Sequence, residues 1–403
     1  MTKPRPMTHG LIAFTIAITT ASMAGAAPPS ITNVSPNKAR RPKANLSIAL
    51  TGDSTHFVQG TTVVDFGQGI TVNSITVLSA TSLVVQISIS PTASPAPRAF
   101  LVTTGAESVG VPNGFTALLP EQRADFDGDG RSDVSVYRPS TGGWYFINSS
   151  NGTVNGMTWG TATDIPVVGD FDHDFKSDIT VYRPSTGSWF ILLSSSNFTA
   201  SRHFTWGTAE DIPVPADYDG DDVDDVAVFR PSSGAWFVLL STLSFADGFA
   251  LQWGASGDVP VAGDYDADGR ADIAVFRPST GMWAILKSST NFTGWFGSQW
   301  GVDGDVPFPG DYDGDGLMDF VVYRPSMGFW FFLKSTFNYT FGTSVGWGVP
   351  PGDVPVAADY LGYPGEALMD IAVYRPSTGT WFIANGGERQ WGVAGDIPLP
   401  KRP

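Results

Sequence analysis

From Asp125 onward the chain repeats itself, and the period constrains the fold more than any other feature. Tyr/Phe-Arg-Pro-Ser recurs with its arginine at 138, 183, 230, 277, 324 and 375, at intervals of 45, 47, 47, 47 and 51 residues. Trp-Gly recurs with its tryptophan at 159, 206, 253, 300, 347 and 391, and Gly-Asp-Val-Pro-like segments place an aspartate at 164, 211, 258, 305, 353 and 396. Within one unit, strand-forming runs fall at 259–265, 272–278, 282–288 and 295–300, separated by turn residues. Four strands in about 47 residues, repeated, predict an all-β propeller with one blade per unit. The first unit lacks a leading Trp-Gly and Gly-Asp-Val-Pro segment, and residues 391–400 supply one. Six arginine and six tryptophan motifs therefore predict six blades rather than seven, the ring closed by strands from both ends, which leaves fewer bare sheet edges.

Every unit carries an acidic loop. Asp-x-Asp-x-Asp-Gly-x-x-Asp stands intact at Asp125, Asp127, Asp129 and Asp133, again at Asp264, Asp266, Asp268 and Asp272, and again at Asp311, Asp313, Asp315 and Asp319. Alternate carboxylates in a tight turn converge on one point, and the carbonyl of the seventh residue (Arg131, Arg270, Leu317) is placed to point inward as well. That many hard oxygen donors suit calcium, which takes 6 to 8 oxygens at ~2.3–2.6 Å. An EF-hand would need an acid at position twelve, where this chain has Val136, Val275 and Val322. The loop is expected instead to be a strand-turn-strand calcium clip. The second loop (Asp170, Asp172, Asp174, Asp178) has Phe175 in place of glycine, and the third (Asp217, Asp219, Asp221, Asp225) has Asp222. Phe175 costs energy if the turn needs positive φ, and Asp222 is a milder change. The sixth loop, between Asp359 and Asp370, has gained three residues and lost its inner acids, so no metal is expected there. The competing reading is that these acids are ordinary solvated turns. Four carboxylates in nine residues, recurring at one place, argue against it, since without a cation they repel one another.

Through the Asp loop, the apolar strand that follows it and the Arg-Pro-Ser-x-Gly-x-Trp continuation, residues 125–403 resemble the FG-GAP and VCBS-like repeats of integrin-type propellers. The resemblance implies a calcium-stiffened extracellular scaffold used for adhesion or for binding proteins and glycans. It names no ligand. That family is usually seven-bladed, whereas this chain offers six units.

The segment 28–118 is different. Short apolar and β-branched runs at 31–34, 46–50, 62–66, 75–78, 83–89 and 100–103, separated by Gly, Pro, Asn and Ser, predict about seven strands in a small β-sandwich. Ile31–Pro36, Leu50–Gly52, Phe57, Thr61–Gly67, Leu101–Thr104 and Asn113–Phe115 together resemble an IPT/TIG immunoglobulin-like domain, a type that implies a spacer or adhesive module. Residues 1–26, with Lys3 and Arg5, an apolar run and Ala24-Gly25-Ala26, read as a signal peptide cleaved before Ala27. Export from a bacterium is the expectation, with the protein secreted or at the cell surface. The apolar run is shorter than the ~20 residues a membrane span needs.

Composition narrows the function classes. Net charge is −16, or −18 without Lys3 and Arg5, which excludes nucleic-acid binding through a basic surface. The 34 aspartates outnumber 5 glutamates, and Asp favours turns where Glu favours helix surfaces, so the negative charge belongs to loops. Twenty of the 34 lie in five loops, and five calcium ions would take the charge from −18 to −8. The chain has no cysteine, so no disulfide can staple it. Sequons at Asn148, Asn197, Asn291 and Asn338 are glycan acceptors only in a eukaryotic host.

Other candidates carry less. Twelve of the thirteen tryptophans occupy two fixed repeat positions, which reads as core between blades rather than as sugar platforms; Trp295 stands outside the pattern as a surface candidate. The repeated arginines are expected to pair with the Gly-Asp-Val-Pro aspartates, because a buried guanidinium needs a carboxylate. Gly342–Gly346 matches a nucleophile-elbow pattern but lies between strands, not in a strand-turn-helix. His56, His173 and His203 are scattered. The sequence thus reads as a monomeric, non-catalytic calcium-binding protein with an extracellular protein or polysaccharide partner. The alternatives are a carbohydrate-active lyase or hydrolase on the same scaffold, and a structural surface-assembly component.

Overall fold

The computed structural model describes residues 27–118, 123–362 and 368–400. The expected signal peptide and part of the sixth loop lie outside these residues. Strands dominate, with single 3-10 turns at Ser194–Ser196, Ser288–Thr290 and Ser335–Phe337. Among the described residues no helix is long and apolar enough to cross a membrane.

Residues 30–118 form two four-stranded sheets around one core. The first runs Ser30–Ser35, Lys43–Asp53, Ser82–Ile89, Ile70–Ser79; the second runs Lys38–Arg40, Glu107–Leu118, Pro97–Thr104, Thr62–Asp65. Period-2 alternation builds it: Ser82–Ile89 buries every second side chain, and Leu83, Val85 and Ile87 meet Phe66, Phe100 and Phe115 inside. Eight strands replace the expected seven. Glu107–Leu118 escaped the reading because its glycines and Pro112 interrupt the apolar run. Lys38–Arg40 escaped because a charged three-residue strand has no alternation to read; it pairs parallel to residues 116–118.

Residues 134–399 form six four-stranded antiparallel sheets, a propeller-like arrangement. Sheet two runs Ile165–Gly169, Asp178–Arg183, Ser188–Leu192, Ser201–Thr205, and sheets three to six repeat this order. Sheet one takes Val134–Arg138, Gly143–Ile147 and Val154–Thr158 from one end of the repeats and its fourth strand, Ile397–Leu399, from the other. The burial of each strand follows from its sequence. The second strand of a repeat, such as Ile273–Arg277, is an unbroken apolar run buried on both faces until its arginine. The outermost, such as Trp295–Gln299, alternates exposed and half-buried residues. The innermost is shorter than expected: Val259–Pro260 pairs, and the ladder then resumes as a single bridge between Gly263 and Asp272. Pro260 has no N–H to give, and Val261 N–H carries the link to Ala274.

Tryptophan joins the sheets. Trp144, Trp189, Trp236, Trp283, Trp330 and Trp381 are fully buried, each donating its ring N–H to the carbonyl of the Trp-Gly tryptophan of its own repeat. Each Trp-Gly indole in turn donates to the next sheet: Trp159 to Phe190, Trp206 to Phe237, Trp253 to Ala284, Trp300 to Phe331 and Trp347 to Phe382. Trp391 closes the circuit on Tyr145 O at 3.2 Å. Both tryptophan positions therefore serve packing, as expected.

The repeated arginines pair as the charge argument requires. Arg138 meets Asp396, Arg183 Asp164, Arg230 Asp211, Arg277 Asp258, Arg324 Asp305 and Arg375 Asp353, all at 2.7–2.8 Å through Nε. Each guanidinium is forked over both carboxylate oxygens, as in Arg277 to Asp258 at 2.7 and 2.8 Å. These pairs lie at the end of the sheets opposite the acidic loops.

Candidate metal centres

Each acidic loop joins the innermost strand of a sheet to the second, and its backbone is folded by its own first aspartate. In loop one Asp125 accepts Gly128 N–H at 2.7 Å and Gly130 N–H at 2.9 Å. Asp264 does the same for Ala267 and Gly269, and Asp311 for Gly314 and Gly316. Short aspartate side chains capture amides two to five residues ahead in this way, which is why the motif forms a turn before any ligand arrives. The sixth position has positive φ in all five loops: Gly130, Gly269 and Gly316 at 83–84°, Phe175 at 71° and Asp222 at 68°. The expected penalty at loops two and three is therefore real, of order 1–3 kcal/mol for a side-chain-bearing residue.

The ninth aspartate is fixed from both sides. Asp133, Asp178, Asp225, Asp272 and Asp319 each accept the second loop residue's N–H on Oδ2, at 2.9–3.1 Å. Their Oδ1 atoms accept the N–H of a serine sixteen residues on, at 2.6–2.7 Å. The same serine's hydroxyl donates to the fifth aspartate: Ser149 to Asp129, Ser194 to Asp174, Ser241 to Asp221, Ser288 to Asp268 and Ser335 to Asp315, at 2.8–3.0 Å. Sequence reading missed this serine. Its constant offset from the ninth aspartate in five repeats is the signal that would have found it.

The structure gathers the expected ligands unevenly. In loops one to four the first, third and ninth acids each bring an oxygen within 4.8 Å of the others: Asp125, Asp127, Asp133; Asp170, Asp172, Asp178; Asp217, Asp219, Asp225; Asp264, Asp266, Asp272. In loop five the set is Asp311, Asp313 and Asp315. Asp129 and Asp268, expected in the first and fourth sets, are instead held by the side chains of Arg131 and Arg270, at 2.5 and 3.0 Å. The arginines chosen for their carbonyls thus also act through their guanidinium groups. In the sixth loop Asp370 accepts Tyr360 and Leu361 N–H and Asp359 accepts Gly362 N–H.

One observation tests whether a cation fits. Asp172 Oδ1, Asp219 Oδ1, Asp266 Oδ1 and both oxygens of Asp313 are buried without a hydrogen-bond partner. These are the third acid of a loop, at the same place in four repeats; in the sixth loop the first acid, Asp359, also has a buried Oδ2 without a partner. A buried carboxylate oxygen without a donor is costly, and a cation satisfies it. Hard oxygen donors in a flexible loop match calcium's preferences. The electrostatics agree: burial, reinforced by neighbouring acids, pushes Asp125, Asp133, Asp217, Asp272 and Asp311 up to about 7, and Asp178, Asp225 and Asp264 up to about 8. These loops hold full negative charge at neutral pH only when something positive lies among them.

An FG-GAP-like repeat is present at residues 264–322. This FG-GAP-like repeat begins on Asp264, the first acid of loop four, and ends in the second strand of sheet five, so it spans two complete acidic loops. No curated protein matches the chain. Among solved structures, an Agrocybe aegerita lectin recognising non-reducing terminal N-acetylglucosamine aligns at 14% identity over 60% of this chain and 71% of its own, with a TM-score of 0.43. An auxiliary nutrient binding protein from Bacteroides thetaiotaomicron aligns at 13% over 79% and 85%, TM-score 0.37, and virginiamycin B lyase from Staphylococcus aureus at 9% over 73% and 95%, TM-score 0.39. At these scores the likeness says nothing of ligand or chemistry.

The remaining candidates fall outside the acid groups. Gly342–Gly346 is an exposed outer strand paired with Phe329–Leu333. His56 pairs with Glu107, His173 packs on Phe175 and His203 stacks on Phe190. Trp295 is 59% exposed, as expected, with its ring centroid 6.0 Å from that of Trp253.

Proposed function

We propose that this chain is an exported, calcium-loaded, six-bladed propeller behind an IPT/TIG-type immunoglobulin-like domain, and that it binds an extracellular protein or polysaccharide without catalysis. The partnerless buried carboxylate oxygen on the third acid of loops two to five carries the calcium part of this reading. The two-sheet core of residues 30–118 supports the immunoglobulin-like assignment, and the six repeated sheets support the blade number. The leader sequence and the absence of cysteine support an exported protein stapled by ions in place of disulfides. The roles of the loop acids in the turns, of the repeated arginines in ion pairs and of the repeated tryptophans in packing support binding without catalysis.

Calcium titration calorimetry on chelator-treated protein tests the first part. One ion per gathered acid group, five in all, is the expected stoichiometry. No heat and no thermal shift on adding calcium would remove the reading. A glycan array probed with the loaded protein, together with polysaccharide turnover assays, tests the second part; turnover abolished by an acid outside the loops would make the protein an enzyme instead.

A further inference from the structure

The sixth position of the acidic loops, where two repeats abandon glycine, is also where the N-terminal domain touches the propeller-like sheets. Lys38 Nζ lies 3.9 Å from the centre of the Phe175 ring and the Arg40 guanidinium 5.3 Å from it. Asp222 receives Lys43 Nζ at 2.6 Å and Arg40 N–H at 3.2 Å. Two of the three loops that keep glycine, loops four and five, are approached from the same side. Ala44 N–H donates to Asp268 O at 3.2 Å, and a Cβ on Gly269 would come 2.7 Å from Pro42 O. A Cβ on Gly316 would come 2.2 Å from Pro91 Cβ. Two first-position acids join in: Arg40 lies 3.7 Å from Asp170 and Lys43 3.7 Å from Asp217.

Non-glycine residues with positive φ persist where surroundings over-determine them. Phe175 and Asp222 each trade backbone strain for a contact glycine cannot make: an aromatic face for two cations, and a carboxylate for a lysine only 5% exposed. Pro42 and Pro91, by contrast, press where only glycine leaves room. Both kinds of position are therefore shaped by one partner, the segment 38–44 with Pro91.

We infer that the sixth residues of loops two to five form a docking surface for the N-terminal domain, with Phe175 and Asp222 as its recognition residues, so that the domain roofs the loop end of the central channel. The channel is a cavity of about 360 Å³ lined by Ile165, Val167, Ile212, Val214, Val261 and Leu399. Arg123 stands at its loop end, donating to Pro215 O at 3.0 Å, and also borders the next crevice, which Arg40, Arg41 and Pro42 close. The face open to a partner is then the opposite one, ringed by the six Arg-Asp pairs. The recognition contacts of Phe175 and Asp222 run through side chains outside the gathered acid sets and do not rest on the calcium reading; only the 3.7 Å approaches of Arg40 to Asp170 and of Lys43 to Asp217 touch those sets.

The chain lacks cysteine, so paired spin labels on Thr76→Cys and Ser201→Cys report the separation of the two units in the full chain by pulsed dipolar spectroscopy. A single narrow distance distribution is expected, in calcium and in chelator alike. Asp222→Gly combined with Phe175→Gly should at least double its width while the calcium stoichiometry holds. Lys43→Met, from the other side of the contact, should broaden it too. A broad distribution in the parent overturns the inference, as does a narrow one that survives both sets of substitutions. Loss of calcium binding with a distribution still narrow would count against the metal reading alone.

Discussion

At the residue scale, two kinds of aspartate do different work. The Gly-Asp-Val-Pro aspartates are buried and neutralised within the protein, whereas the third acids of loops two to five are half-buried and keep a buried oxygen without a partner. Replacing Arg277 by alanine strands Asp258, 1% exposed, with the Ala255 amide as its remaining partner. The expected cost is about 1–3 kcal/mol, the range for a buried group left short of partners, read from denaturant unfolding; a loss under about 1 kcal/mol, the size of an ordinary surface ion pair, would show the pairing to be incidental. Asp266→Asn acts otherwise. It removes charge from a group whose Oδ1 has no partner, so chelator-treated protein should keep or gain stability while the calcium count falls by one. Calorimetric stoichiometry and a melting curve in chelator decide between that outcome and a purely structural acid.

At the scale of the loop, pH and metal oppose one another. The buried acids have folded pKa values raised from near 4 to about 7 or 8. Between those values the metal-free folded state holds protons that the unfolded chain has released, so its stability falls as pH rises. Calcium displaces those protons and reverses the slope. The melting-temperature gap between loaded and stripped protein should therefore widen from about pH 5 to about pH 8; a gap independent of pH would detach these acids from the ion. This element was largely legible in the sequence, because alternate aspartates around a glycine encode both the turn and the convergence of its oxygens. What stayed hidden came from afar. Ser149 and its counterparts reach the loop from the next hairpin, and Arg131 and Arg270 turn back on Asp129 and Asp268, choices made by packing after the strands align. The N-terminal strand Lys38–Arg40 was illegible for a related reason: its lysine and its arginine find their purpose only against loops more than a hundred residues away.

At the scale of the whole molecule, the first sheet depends on residues 396–399. Ile397–Leu399 completes sheet one, Leu399 is buried in the core beneath Trp144 and Tyr137, and Asp396 holds Arg138. Ending the chain at Gly395 should therefore remove the inner strand of sheet one and unpair Arg138 together. Melting should shift downward by far more than for Arg277→Ala, with self-association through the bared edge of Val134–Arg138 visible in sedimentation. A truncated chain that stays monomeric and melts unchanged would refute the closure. The period near 47 disclosed this architecture because each unit carries the same strand and turn grammar; the placement of the N-terminal domain over the loops had no such repetition to announce it. The tryptophan circuit carries a temporal corollary. A polypeptide delivered amino end first presents repeat one with its central edge unmated and Tyr145 O still awaiting the Trp391 indole, so sheets two to five can assemble beforehand, yet the circle locks only when residues 391–399 emerge.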